Sequence, residues 1–285
     1  WSFTIWSMLG FIGLYASLKI LRCKQSWRTY LWTLCWFPIF AVISFGQTSI
    51  LTLLVLSLTY LLWKNQYSYL AGLIISLILF KPQLIIGVAI LWLVRYRKDW
   101  KALLGLLTGA CAFSGLTFLF LPDAANSYFS LATEFLPGMI YDEQFPLHHL
   151  HAMRGFWIML FPGKDWLAEI LSLLLSMVGL GFFIRFIVTH HTRLDISYAA
   201  ALLFTIVITP HAMIYDWTIL LIPAMLLWRE TPYLKQYWKV VFAVIWLVTF
   251  LSGPLTFLQL QFSPIALQIS VPVYLILLVD IARTL

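Results

Sequence analysis

Charged side chains are scarce in this chain of 285 residues. Only 10% of its residues are Asp, Glu, Lys or Arg, whereas soluble domains carry about 25% charge. Hydrophobic residues make up 62% and aromatic residues 17%. This composition excludes an ordinary soluble domain and predicts a polytopic integral membrane protein.

Cysteine is also rare, with three residues in the whole chain. Cys23 lies in a basic stretch, and Cys35 and Cys111 fall within apolar segments. No pair is therefore placed for a structural disulfide or for thiolate ligation of a metal, and we expect neither.

Apolar runs follow one another along the chain with short polar interruptions. Several are shorter than the ~20 residues of a full helical span, so some helices must be tilted, broken or re-entrant. We predict an all-α protein with about 9–11 transmembrane or half-spanning helices, forming a single transmembrane domain over residues 1–285. The runs are 3–18, 30–45, 48–63, 68–80, 83–94, 102–121, 167–188, 196–209, 217–228, 239–252 and 264–282.

The distribution of basic residues predicts the orientation. If the apolar runs alternate and start outside, all Lys and Arg residues except Lys81, Arg154 and Lys164 fall in inner loops. Basic residues accumulate in cytoplasmic loops of membrane proteins. The net charge of +7 is therefore a topology signal, and no separate basic patch with interleaved aromatics indicates a nucleic-acid partner.

Two breaks in the apolar runs follow from this topology. One long helix over 68–94 would place the basic loops 19–28 and 95–101 on opposite sides, and a break at Lys81-Pro82 avoids that conflict. Proline removes a backbone donor and clashes with the preceding turn. Glycine and small polar residues similarly predict a break at 46–49.

Polar residues gather at the predicted outer ends of the apolar runs. Three groups share that side: 46–49, 81–83 and 209–216. The one long connection, a predicted extracytoplasmic loop at about 122–166, lies there too. Loops longer than about 12–15 residues are usually functional, so this one is a candidate lid over a cavity.

Lys81 is the only charged residue between Ser68 and Val94. A cation at membrane depth costs on the order of 2.5–3.5 kcal/mol and usually faces a polar cavity. Because it lies on the outer side, where basic residues are few, we expect an anionic partner. The alternative is a side chain that snorkels to the headgroups.

Other polar residues also have structural interpretations. Gln47 can satisfy backbone groups freed at a helix break, and His211 and Asp216 can cap and terminate helices. The remaining histidines form a short cluster without the spacing or the carboxylate partner of a metal motif. We therefore expect no metal site at His148, His149 and His151.

The order of these motifs resembles glycosyltransferase family 87. The resemblance rests on Gly46-Gln47-Thr48-Ser49, Phe80-Lys81-Pro82-Gln83, the basic turn ending Asp99-Trp100-Lys101, Thr209-Pro210-His211 and Tyr215-Asp216. It covers roughly 1–230. Members of this family are membrane enzymes of the GT-C type related to bacterial mannosyltransferases that use polyprenol-phosphate-mannose.

The resemblance implies transfer of a hexose, with mannose the first expectation, from a polyprenyl-phosphate carrier to a lipid or glycan acceptor. It places the protein in a bacterial cytoplasmic membrane, with the active site on the periplasmic side and usually with inversion at the anomeric carbon. The donor is a substrate, and no cofactor or divalent metal is expected. The residues expected to bind substrate and phosphate are Lys81, His211, Gln47, Arg154, Tyr215 and Gln83.

The resemblance also implies that the catalytic base is absent from this sequence. The family's carboxylate lies in a first outer loop, and the chain, which begins at Trp1, is expected to start after it and to be inactive as a fragment. Asp216 is a weak candidate for the base and is expected instead to orient His211 or shape the helix entry. Asp142 and Glu143 are the other outer carboxylates considered.

Other functions use similar features. A lipid-linked-sugar flippase or secondary transporter also has broken helices and a buried cation, but it predicts polar residues in both halves and an internal repeat. A glycan polymerase or ligase predicts more arginines in the outer loop than Arg154 alone. A non-catalytic assembly subunit would explain a missing base. The residues favour sugar transfer over these alternatives.

Overall fold

The computed structural model describes residues 1–21, 27–140, 145–190, 193–230 and 235–284. Over these residues the fold is a bundle of α-helices without strands, apart from an isolated bridge between Leu150 and Met213. The all-α prediction is confirmed. The helices are α1 Ser2–Ile20, α2 Trp27–Leu34, α3 Phe37–Ser44, α4 Ser49–Lys64, α5 Ser68–Ile75, α6 Ile86–Val94, α7 Tyr96–Phe120, α8 Pro122–Ser130, α9 Leu136–Met139, α10 Met153–Leu160, α11 Asp165–Thr189, α12 Leu194–Ile208, α13 Leu221–Glu230, α14 Lys235–Phe262 and α15 Ser270–Thr284.

Four helices of the described chain are long and apolar enough to cross a membrane. They are α1, α7, α11 and the part of α14 from Lys239 to Phe262. Shorter apolar helices lie between them: Ser49–Lys64, Ser68–Ile78, Pro82–Val94 and Leu194–Ile208. Large apolar side chains are exposed on α7 and α11, among them Leu119 and Leu173. Such exposed apolar faces suit contact with acyl chains, and the prediction of a polytopic membrane protein is confirmed.

The break predicted at Lys81-Pro82 is present. A 3₁₀ turn, Ser76–Ile78, ends the helical segment that begins with α5, and a second one, Pro82–Ile85, leads into α6. The chain reverses direction here. Helix α5 runs parallel to α7, whereas α6 runs in the opposite direction and ends where α7 begins. The parallel pair is in backbone contact: a Cβ at Gly72 would overlap the carbonyl oxygen of Ala102.

Two apolar runs differ from the prediction. The run 30–45 is two helices, since α2 ends at Leu34 and α3 begins at Phe37 with Pro38 in its first turn. Proline is favoured at that position because its missing N–H has no intrahelical partner there. The run 264–282 becomes helical only at Ser270.

Much of the connection predicted at about 122–166 is helical in its described residues. It contains α8, a π-helical turn at Leu131–Phe135, α9 and α10. Pro122 lies in the first turn of α8, where proline's fixed φ is already helical. The segment therefore has local structure of its own, which apolar periodicity in short helices does not reveal.

A cluster of polar side chains joins helices at the end predicted to be cytoplasmic. Asp195 accepts hydrogen bonds from the Tyr60 hydroxyl (2.7 Å), from the Lys64 ammonium (2.8 Å) and from the Arg229 guanidinium (2.7 Å). We call Tyr60, Lys64, Asp195 and Arg229 the basic-end cluster. Arg229 also donates to the carbonyl oxygen of Leu21, the C-cap of α1. The cluster thus connects α1, α4, α12 and α13.

Candidate active site at the polar ends of the helices

Asp216 is the centre of the polar group at the opposite end of the bundle. It lies in a 3₁₀ turn, Ile214–Leu220, that leads into α13, and its side chain is 3% exposed. One oxygen, Oδ1, accepts hydrogen bonds from Lys81 Nζ (2.7 Å) and Ser49 Oγ (3.1 Å). The other, Oδ2, accepts from the backbone N–H of Met213 (3.2 Å). Three donors from three parts of the chain therefore satisfy this buried carboxylate.

Lys81 reaches Asp216 from the reversal between α5 and α6. Its backbone lies outside the helical region, with φ −136° and ψ 68°, just before Pro82, as expected for a residue that precedes proline. The ammonium group is 4.8 Å from the centre of the Tyr215 ring, a distance suited to a cation–π contact. The Lys81 side chain is 18% exposed, so it is paired with Asp216 and is not fully buried.

This geometry identifies an anionic partner for Lys81 within the chain itself. Asp216 pairs with Lys81 and caps its own turn, which agrees with the expectation that it shapes the helix entry and not with the alternative that it orients His211. The carboxylate oxygens of Asp216 are engaged by three donors, and the side chain is almost fully buried. An acceptor hydroxyl therefore has little access to them. Asp216 is suited to orient Lys81 and is a poor candidate for a general base, which must reach the proton that it abstracts.

His211 pairs with Arg154 instead. The guanidinium Nη1 of Arg154 lies 3.2 Å from His211 Nε2, and its Nε donates to Glu169 at 2.6 Å. Arginine has only donors, so Nε2 must accept and the neutral ring carries its proton on Nδ1. Nδ1 is buried with no hydrogen-bond partner in the described part of the protein.

The charge state of His211 follows from its surroundings. Its pKa is lowered, first by burial and then by the positive charge of Arg154, while Glu169 acts in the opposite direction. The imidazole is therefore neutral at neutral pH. Because Nε2 accepts from Arg154, the ring has one polar group left for a ligand, the N–H donor at Nδ1.

The described residues show no hydrogen bond between the side chains of the two glutamines and the Lys81–Asp216 pair. The backbone carbonyl oxygen of Gln83 accepts a hydrogen bond from Thr209 Oγ1 at 3.5 Å, which connects the turn before α6 to the end of α12. Gln47 follows Gly46, whose φ of +61° is a conformation that glycine adopts readily. Gln47 also lines an apolar cavity of about 300 Å³ between α1, α3 and α4.

The three outer histidines of the sequence are divided between packing and hydrogen bonding. His148 and His149 have ring centroids 4.1 Å apart, whereas His151 Nδ1 is 2.7 Å from Ser270 Oγ. No group of three or more His, Cys, Asp and Glu residues suited to a metal occurs in the part of the chain that the structure describes. Asp142 and Glu143 lie outside the described residues.

Sequence reasoning missed several members of the site. It did not single out Ser49 as a ligand of Asp216, and it did not predict that Glu169 holds Arg154. A signal for Ser49 was present, since it belongs to the polar break 46–49. Glu169 lies inside α11, and nothing in its local sequence indicates that it faces Arg154.

The polar end thus combines a buried Lys-Asp pair with an Arg-His-Glu group in a multi-pass helical bundle. Comparison with protein families agrees with the resemblance to a membrane glycosyltransferase. The model of glycosyltransferase family 87 matches residues 1–210, and the chain belongs to that family. The match includes Gln47, Lys81, Gln83 and Arg154 and ends one residue before His211.

Family membership makes the protein a membrane glycosyltransferase, as the resemblance implied. It also implies that the enzyme acts in a lipid bilayer on a lipid-linked donor. No curated protein and no solved structure gives a significant match to the chain.

Proposed function

We propose that this enzyme transfers a hexose, mannose first among the candidates, from a polyprenyl-phosphate carrier to a lipid or glycan acceptor. The reaction takes place at the extracytoplasmic face of a bacterial cytoplasmic membrane. The observation that carries the proposal is the Lys81 ammonium, held by Asp216 and Tyr215. It lies at the end of the bundle opposite the basic-end cluster.

The chemistry requires a cation at the departing phosphate. The acceptor oxygen attacks the anomeric carbon, the bond from that carbon to the phosphate oxygen breaks, and its electron pair stays on the phosphate. The configuration at the anomeric carbon inverts, and the acceptor's proton passes to a base. Lys81 stabilises the charge that develops on the leaving group, because preorganised donors act strongly where water is excluded.

Asp216 orients the Lys81 ammonium and leaves some of its N–H donors available to a second anion. Its carboxylate takes one direction of the ammonium at 2.7 Å, and two further N–H donors remain on Nζ. The Lys81 side chain as a whole is 18% exposed, which is compatible with approach of a second anion. A phosphate monoester or diester approaching from that side meets a charge-assisted donor.

Arg154 and His211 supply further contacts to the same donor lipid. Arg154 presents a rigid guanidinium suited to phosphate oxygens, and His211 offers its Nδ1 hydrogen. A neutral imidazole whose Nε2 accepts from Arg154 donates a hydrogen bond but does not take a proton. This favours the hydrogen-bonding role of His211 over the proton-shuttle role.

The first experiment measures transfer of radiolabelled mannose from polyprenyl-phosphate-mannose in membranes that contain the complete protein. Lys81→Ala is expected to abolish transfer, and Lys81→Arg to restore only a small part of it, since a planar guanidinium fits poorly where a compact ammonium meets Asp216. Lys164→Ala is the matched control, because that lysine is exposed on the same side. Wild-type transfer by Lys81→Ala would contradict the proposal.

The role of His211 is tested by two amide substitutions. In His211→Asn the side-chain amide lies near the position of Nδ1, whereas in His211→Gln it extends toward the position of Nε2. We expect His211→Asn to retain several times more turnover than His211→Gln or His211→Ala. Equal loss in all three variants, with folded protein present, would point to proton transfer and contradict the donor role.

A further inference from the structure

A second group of buried polar atoms lies between the interior of α14 and the first residue of α15. Ser252 Oγ donates to Ser270 Oγ at 3.0 Å and accepts from the Ser270 backbone N–H at 3.2 Å. Ser270 Oγ in turn lies 2.7 Å from His151 Nδ1. These three residues form a continuous hydrogen-bonded chain between α14, α15 and the segment before α10.

His151 takes part in this chain through Nδ1. Ser270 Oγ accepts from Ser252 and keeps a second lone pair and its own hydrogen, so either tautomer of His151 fits the 2.7 Å contact. Burial lowers the pKa of His151 to about 3, and the ring is neutral. In both tautomers Nε2 is a buried polar atom without a hydrogen-bond partner among the described residues.

Gln268 adds two more such atoms. Its side chain is 0% exposed, and neither its amide nitrogen nor its amide oxygen has a partner in the described part of the protein. It lies two residues before Ser270, in the connection from α14 to α15. A buried polar group without a hydrogen bond is destabilising, so the atoms of His151 and Gln268 call for an explanation.

The group adjoins the Lys81–Asp216 pair through backbone contacts. Trp217, the neighbour of Asp216, donates its indole N–H to the carbonyl oxygen of His151 at 3.1 Å. Leu150 forms the isolated bridge with Met213, whose N–H donates to Asp216 Oδ2. The segments that carry His151 and Asp216 are therefore in direct contact.

We propose that His151 and Gln268 form a subsite for the hydroxyl groups of the donor's hexose. The inference rests on the proposed function, which places the donor's phosphate at Lys81. A sugar hydroxyl both donates and accepts, so it can pair with His151 Nε2 in either tautomer, accept from the Gln268 side-chain amide and donate to the Gln268 side-chain carbonyl oxygen. The Ser252–Ser270 chain is a positioning element that fixes the orientation of the His151 ring.

The structure shows this subsite closed. His151 is 1% exposed, and the outer connection is held against α14 by the His151–Ser270 hydrogen bond and by the His148 ring, 5.1 Å from Phe257. A hexose enters only when the segment 147–153 moves away from α14. Closing over the sugar would then exclude water, which otherwise competes with the acceptor for the anomeric carbon.

The test compares two lipids of equal charge. Binding of polyprenyl-phosphate-mannose and of the methyl ester of polyprenyl phosphate is measured on the complete protein in nanodiscs. The methyl ester keeps the phosphodiester charge but has no sugar. We expect the wild type to bind the mannosyl lipid more tightly, and Gln268→Met and His151→Phe each to reduce that preference about three- to tenfold.

The controls separate this inference from the proposed function. Both variants are expected to bind the methyl ester as the wild type does, and Gln268→Met is expected to be at least as stable, since it removes unsatisfied atoms. Gln261→Met, at an exposed position on α14, keeps the full preference. Lys81→Ala weakens binding of both lipids.

Two results would overturn the inference. The first is an equal affinity of the wild type for both lipids. The second is an unchanged preference in Gln268→Met and His151→Phe, which would assign these atoms to structure or to bound water. If Lys81→Ala binds both lipids like the wild type, the proposed function fails, whatever the sugar preference is.

Discussion

The Lys81–Asp216 pair makes a quantitative prediction about stability, because its two members are buried to different degrees. The carboxylate of Asp216 is 3% exposed and the side chain of Lys81 18%. Lys81→Met leaves the carboxylate with only the neutral donors Ser49 and Met213, and breaking a buried pair in this way costs about 3–5 kcal/mol. Asp216→Asn leaves an ammonium that still touches water and the Tyr215 ring, which costs about 1–3 kcal/mol.

The double variant Lys81→Met with Asp216→Asn removes both charges. The introduced asparagine amide can accept from Met213 and donate to Ser49, while the introduced methionine side chain needs no hydrogen-bond partner. We therefore expect the double variant to lose less than ~2 kcal/mol, so that the two substitutions are coupled by ~2 kcal/mol or more. The free energies of unfolding are measured by titrating the protein with dodecyl sulfate in mixed micelles.

The same variants separate folding from catalysis. The double variant is expected to be folded and to transfer no sugar, because the cation at the leaving phosphate is gone. Additive losses, within about 0.5 kcal/mol, would show that the pair does not form. Wild-type turnover in the double variant would show that the pair is structural only.

Two other features give independent predictions. Burial lowers the pKa values of His148 and His151 from 6.5 to about 4 and about 3. Below pH 6.5 the unfolded chain therefore binds more protons than the folded one, and stability falls as the pH is lowered toward 3. Thermal midpoints in detergent should show this slope and His151→Gln should flatten it, whereas an equal slope in that variant would contradict the burial of His151. Gly72→Ala places a methyl group against the Ala102 carbonyl and should lower the free energy of unfolding by about 1–3 kcal/mol. The control is Gly115→Ala, whose added Cβ has no neighbour within 4 Å. Equal thermal midpoints for both variants would refute the close α5–α7 contact.

The positions of most helices could be predicted from apolar runs, because a lipid environment requires continuous apolar segments of nearly fixed length. The break at Lys81-Pro82 was also predictable, since proline and charge topology pointed to the same place. The split of the run 30–45 was not, because every residue from Leu31 to Phe45 except Thr33 and Ser44 is apolar, cysteine or proline. Only Pro38 signals where the second helix begins.

The segments that form the site could be predicted from the sequence, but the pairs of residues that contact each other within it could not. Topology placed 46–49, 81–83 and 209–216 at one end, and the structure brings members of all three together around Asp216. It did not reveal that Lys81 and Asp216, 135 residues apart, share a hydrogen bond. Such pairing depends on the rotation of each helix about its axis, which packing between helices sets and a local pattern does not.

The basic-end cluster has a mechanical consequence for the enzyme. Asp195 binds α4, α12 and α13 together at one extremity, and Arg229 adds α1. Rods pinned at one extremity pivot there, so a small tilt produces its largest displacement at the far tips, where we propose that the sugar donor binds. The cluster would then act as the pivot of this motion, and loss of the Asp195 carboxylate would loosen the opposite end of the bundle.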